Sequence, residues 1–136
     1  MNKFDKFYME LAISVANFSY CKRKKVGAVF VKDDILCVGY NGTISGMENN
    51  CEDSNGETLP EVLHAESNML SKIMNTTISS TNGTVYCTFS ACLSCSKLLI
   101  QAKIKRFVYL DTHSDQSGLE LMKKSGIIVE KMEIVE

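Results

Sequence analysis

Residues 26–40, VGAVFVKDDILCVGY, decide the fold class of this 136-residue chain. Two runs rich in β-branched and aromatic residues, VGAVFV and ILCVGY, flank the polar triplet Lys32-Asp33-Asp34, the pattern of a β-hairpin. Ahead of it, Phe4, Phe7, Tyr8, Leu11, Ala12, Val15 and Ala16 recur at three- and four-residue steps, which predicts a helix with one face laid on the sheet. Behind it, residues 41–59 form a long connection rich in Asn, Gly, Ser and acidic residues. Connections of that length inside a compact domain are usually functional or disordered, and a functional loop is expected here.

A second helix is expected from about Pro60 through LHAESNMLSKIM, with Pro60 in its first turn and Leu63, Leu70, Ile73 and Met74 as its inward stripe. The strand TVYCTF follows the polar linker NTTISSTNG, and a third helix begins about Cys92. RFVYLD reads as a buried strand, DQSGLELMKKSG as a short helix capped at Gly126, and IIVEKMEI as a last strand. The connection from Leu110 to Ile127 is long enough for a right-handed parallel crossover. Helices packed on such a sheet give a three-layer α/β/α sandwich, and with no repeat or low-complexity segment a single domain over residues 1–136 is expected.

Hydrophobic residues make up 45% of the chain and charged ones 23%, the balance of a globular protein with its own core. No apolar run reaches bilayer length and the first ten residues mix charges of both signs, so a cytoplasmic protein without a membrane partner is expected. A net charge of −1 offers no general excess for neutralising phosphate backbones, which favours a small substrate over nucleic acid. The six cysteines are expected as reduced thiols, because a chain of this size folds without staples.

Two stretches carry chemistry. In Phe89-Ser90-Ala91-Cys92-Leu93-Ser94-Cys95, two thiols at a strand-to-helix junction can share one Zn2+, and the unpaired N–H groups of a helix start favour the thiolate form. The same spacing describes a redox dithiol. His64-Ala65-Glu66 stands at the head of the second helix, where a lone histidine is ordinarily a core or surface residue and a glutamate ordinarily complements the helix dipole. Both motifs fall at helix starts, however, and a layered α/β domain can bring such starts to one sheet edge. His64, Cys92 and Cys95 would then leave a tetrahedral zinc one position for water, whose pKa can fall to about 7. Glu66 supplies a carboxylate able to take that water's proton and return it to a leaving group.

H-x-E followed by C-x-x-C is the signature of zinc nucleobase deaminases, with Ala91 standing where the family usually has proline. That exchange loosens the turn by about 0.5–1 kcal/mol without removing a ligand. Together with Val26-Gly27-Ala28-Val29, Gly39-Tyr40-Asn41-Gly42-Thr43, Ser45-Gly46, Asn50-Cys51-Glu52-Asp53, Asn68 and Phe107-Val108-Tyr109, the signature resembles the deoxycytidylate (dCMP) deaminases, especially short phage forms, over nearly the whole chain. The resemblance implies the cytidine deaminase fold, a mixed five-stranded sheet between helices. It also implies zinc-dependent hydrolysis of dCMP to dUMP and ammonia, which feeds thymidylate synthesis. A hexamer activated by dCTP and inhibited by dTTP is implied as well, with Mg2+ accompanying a triphosphate effector. One zinc per chain is expected, since residues 53–62 contain no His or Cys for the second, structural zinc of some larger relatives.

By the same resemblance Glu66 protonates N3 of the cytosine and later the departing amine. Asn41, Thr43, Ser45, Ala65 and Arg23 are the candidate substrate contacts. Asn41 can donate and accept hydrogen bonds, although ahead of Gly42 it can equally serve as a turn residue. The hydroxyls of Thr43 and Ser45 can meet the nucleotide or only solvent. Lys22-Arg23-Lys24-Lys25 is the one dense basic run, and Arg23 or Lys24 is its candidate for a nucleotide phosphate, against a plain solvated face. Lys24 with Gly39, Tyr40, Asn41 and Gly42 forms the candidate effector site, since the resemblance associates that turn with effectors between subunits. Cys37 and Cys87 are expected in the core and His113 in a surface loop. The rival readings are a deaminase of cytidine or of a tRNA base, a redox dithiol, and a non-catalytic zinc module with Cys87 or Cys51 as fourth ligand.

Overall fold

The computed structural model describes residues 1–134. Helix α1 (Lys3–Ala16) leads into the hairpin β1 (Gly27–Lys32) and β2 (Ile35–Tyr40), followed by α2 (Ala65–Met74), β3 (Thr84–Phe89), α3 (Leu93–Gln101), β4 (Arg106–Asp111), α4 (Ser117–Lys124) and β5 (Ile128–Lys131). Asp33 and Asp34 take φ of 50° and 64°, so the hairpin closes through two left-handed residues, the turn whose twist matches that of the strands. The sheet has the order β2-β1-β3-β4-β5. β1 is antiparallel to both β2 and β3, whereas β3, β4 and β5 run parallel through the crossovers α3 and α4.

Alternate residues of the central strands feed two cores. Val29, Tyr86 and Val108 meet Met9, Ala12 and Val15 of α1, while Ala28, Phe30, Val85 and Phe107 face α2, α3 and α4 on the other side. The expected three-layer sandwich with a mixed sheet is the observed one. Burial on both faces explains why TVYCTF and RFVYLD read as almost continuous apolar runs.

The inward face of α1 is rotated from the one its apolar spacing predicts. Phe4 and Phe7 are 58% and 56% exposed, while Asp5, Met9, Ala12, Val15 and Ala16 are buried. A close backbone approach sets the rotation: a Cβ on Gly27 would stand 2.1 Å from the Ala12 carbonyl oxygen, so α1 seats directly on the glycine. Helix α2 starts at Ala65 instead of near Pro60, and Leu63 instead exchanges backbone hydrogen bonds with Gly42. Its inward residues are Ala65, Glu66, Met69 and Ile73, leaving Met74 exposed. Gly39 fixes the depth of this helix, because a Cβ there would lie 2.5 Å from Met69 N and 2.7 Å from the Ala65 oxygen.

The cysteines correct a further expectation. Cys21 and Cys51 form a disulfide, tying the segment before β1 to the long loop after β2, so the thiols are not all reduced. Cys87 lies in the core as expected, but Cys37 is only half-buried. No helix among the described residues is long and apolar enough to cross a membrane.

Candidate active site

His64 is the N-cap of α2 and Cys92 the N-cap of α3, both in extended backbone. Each sits where a helix leaves its first N–H groups without backbone partners, an environment that favours anionic sulfur. The two helix starts meet at one end of the sheet. His64 Nδ1 lies 3.4 Å from Cys92 Sγ and 3.3 Å from Cys95 Sγ, with all three donor atoms within 4.8 Å of one another. Hydrogen bonds with Cys95 and then His64 pull the Cys92 thiol down to about 3, while Cys95 is driven upward by its bond to Cys92 and by burial. Glu66 is buried beside them at 4% exposure, and burial pushes its carboxyl up to about 7.

His64, Cys92 and Glu66 border a cavity of about 450 Å³. Ala65 and Glu66 line it from α2, Phe89 and Ser90 from the end of β3, and Asn41 from the end of β2. Asn41 Oδ1 accepts from Val26 N at 2.8 Å, and its Nδ2 donates to the Lys24 carbonyl at 2.7 Å. That amide therefore clasps the basic segment to β2. Arg23 lines the cavity but is engaged by Glu57 at 2.7 Å, and Glu52 Oε2 accepts from the backbone N–H groups of Lys22 and Arg23. Lys24 Nζ stands 3.2 Å over the Phe89 ring. Thr43 is paired with Tyr20 through its hydroxyl and its amide, and neither Thr43 nor Ser45 lines the cavity. Gly39, Tyr40 and Gly42 also lie outside the lining.

A profile described as the cytidine and deoxycytidylate deaminase zinc-binding region matches residues 2–111. The chain belongs to this deaminase family. The deoxycytidylate deaminases of Saccharomyces cerevisiae and Schizosaccharomyces pombe are 31% and 32% identical to it over 97% and 90% of the chain. The chain spans only 46% and 42% of the length of those two relatives. The dCMP deaminase of the cyanophage S-TIM5, solved in complex with dCMP and dUMP, superposes with a TM-score of 0.94. It is 38% identical, over 97% of this chain and 99% of that one.

The donor set fits the zinc of the deaminase family. Bond lengths near 2.3 Å to sulfur and 2.0 Å to nitrogen would hold the two about 3.5 Å apart around a tetrahedral ion, close to the separations found here. Neither rival fourth ligand is in place, since Cys51 is bonded to Cys21 and the Cys87 thiol donates to Glu66 Oε1 at 3.6 Å. Cys92 and Cys95 are free thiols, each in contact with the His64 imidazole.

Glu52, Thr58, Phe89 and His113 are among the cavity residues that escaped the sequence. His113 is in an exposed loop as expected, but its ring meets the edge of Phe89 at 4.1 Å. Ser90 places that loop, its N–H donating to the Asp111 carbonyl and its Oγ accepting from His113 N. One signal could have found His113: it follows β4 as Cys92 follows β3, and neighbouring parallel strands end at the same edge.

Proposed function

We propose that this chain forms one catalytic unit, residues 1–136, that deaminates dCMP to dUMP and ammonia in the cytoplasm. The observation that carries the proposal is His64 between two thiols with a buried Glu66 on the wall of the same cavity. His64, Cys92 and Cys95 would hold the zinc, whose chemistry when bound is to make water nucleophilic at neutral pH. Glu66 takes the proton released as water adds to C4 of the cytosine and delivers it to N3. It then takes the proton of the new C4 hydroxyl and passes it to the amine, so that the C4=O bond forms as the C4–N bond breaks and ammonia leaves. Burial raises the Glu66 carboxyl from its ordinary value, which favours a group that donates as well as accepts a proton.

Phe89 and Ala65 offer apolar surface to the base, and Asn41 and His113 polar edges to the sugar and its phosphate. Arg23 and Lys24 stand at the cavity as its cations. Thr43, Ser45, Gly39, Tyr40 and Gly42 are proposed to act with effectors or across a subunit contact, since they lie outside the cavity lining. A hexamer controlled by dCTP and dTTP, with Mg2+ on the triphosphate, completes the proposal; exposed Phe4, Phe7 and Phe18 offer apolar surface for such assembly.

Ammonia release from zinc-loaded protein given dCMP, cytidine, dCTP or tRNA tests the reading. Turnover is expected with dCMP, and a preference for cytidine or RNA would overturn the substrate assignment. A sigmoidal dCMP curve shifted in opposite directions by dCTP and dTTP is expected, and a hyperbolic curve that neither shifts would reject the regulatory part.

A further inference from the structure

Cys87 lies in β3, the central strand, paired with Ala28 on one side and Tyr109 on the other. It is 0% exposed and belongs to the apolar core under α2. Such a position asks only for apolar volume, which valine fills with a higher strand propensity. The thiol adds what valine lacks, a proton to donate. Its Sγ lies 3.6 Å from Glu66 Oε1, and among the described residues it is the side chain hydrogen-bonded to that carboxyl.

We propose that Cys87 is a positioning residue for Glu66: its thiol holds Oε1 from the core side and so leaves Oε2 as the oxygen presented to the cavity. The last torsion of a glutamate is broad and roughly two-fold, so neither the helix nor the packing of Ala65 on Gly39 fixes the carboxyl's rotation. Proton transfer at both the attacking water and the ring nitrogen requires one oxygen within hydrogen-bond reach of each. A donor behind the carboxyl supplies that restraint without occupying the reactive side. Cys87 stands outside the cluster formed by His64, Cys92 and Cys95, which separates its role from metal binding.

The inference rests on Glu66 being the proton carrier of a dCMP deaminase, so the unaltered protein is assayed first. Absence of dCMP turnover there would overturn that reading and this one with it. Given turnover, Cys87→Val is compared with Cys87→Ser for kcat, KM, zinc content and Tm. Cys87→Val is expected to lower kcat about tenfold, with KM and zinc content unchanged. Cys87→Ser, which restores an O–H donor, is expected to recover most of the loss. A Val variant with the original kcat, or a Ser variant no faster than Val, would overturn the positioning role while leaving the deaminase standing. Loss of zinc from Cys87→Val would also overturn it, by making Cys87 a ligand. Should Val not fold, Cys87→Ala against Cys87→Ser makes the same comparison, and equal kcat values would overturn the role.

Discussion

Arg106 at the start of β4 grips Asp5 on α1 with two hydrogen bonds, Nη1 to Oδ1 at 2.7 Å and Nη2 to Oδ2 at 3.1 Å. Tyr86 donates a third to Oδ1 at 2.6 Å, and the carboxylate side chain is only 3% exposed. Arg106 above all holds the Asp5 carboxyl down to about 2, from an ordinary value of 3.8. The folded value lies below the unfolded one, so the stabilisation is complete above pH 3.8 and disappears as pH falls through about 2. It is on the order of 2 kcal/mol. In urea titrations, Asp5→Asn is expected to be less stable than the unaltered protein by that amount at pH 6, with the gap closing toward pH 2.

Glu66→Gln keeps the shape of the side chain and removes its ability to carry a proton. Turnover of dCMP is expected to fall by about 10²- to 10⁴-fold with zinc content unchanged. Steady-state rates alongside metal analysis check both halves, and loss of the metal would reassign the effect to structure.

Gly118 on α4 buttresses the turn that carries the first thiol. A Cβ there would lie 2.4 Å from the Ala91 oxygen and 2.9 Å from the Cys92 carbonyl carbon. Gly118→Ala is therefore expected to destabilise the fold by roughly 1–3 kcal/mol and to speed zinc loss to a chelator. Thermal unfolding and chelator-competition kinetics measure the two effects. The same contact supports the turn that Ala91, in place of proline, leaves less preset.

The Cys21–Cys51 bond closes a loop with a sequence separation of 30. Chain entropy puts its contribution at about 3–4 kcal/mol as an upper value. Reductant is expected to lower Tm and raise KM for dCMP, because Cys21 and its neighbours Arg23 and Glu52 border the cavity. Cys51→Ser should show the lower Tm and no further response to reductant.

Strands and the start of α3 were legible because each follows from local pattern, whereas α2 begins at Ala65, later than the expected start near Pro60. TVYCTF and RFVYLD coincide with β3 and β4, and the two motifs fall at helix caps as expected. The rotation of α1 was not legible. Phe4 and Phe7 fit an apolar stripe, but what turns them outward is Gly27 beneath Ala12 and the grip of Arg106, 101 positions away, on Asp5. The disulfide was equally hidden, since spacing cannot say which of six cysteines pair. At the site, His64, Cys92, Cys95 and Glu66 announced themselves as a motif. Phe89, His113, Glu52 and Thr58 did not, because only the joining of three separate connections makes them neighbours.

β3 separates His64 from the thiol pair along the chain and also occupies the middle of the sheet. Pairing of that strand with β1 and β4, at long range in the chain, brings the imidazole and the sulfurs to one edge of the sheet. A metal that binds donors gathered only by the native fold shifts the folding equilibrium toward that fold, so occupancy and stability rise together.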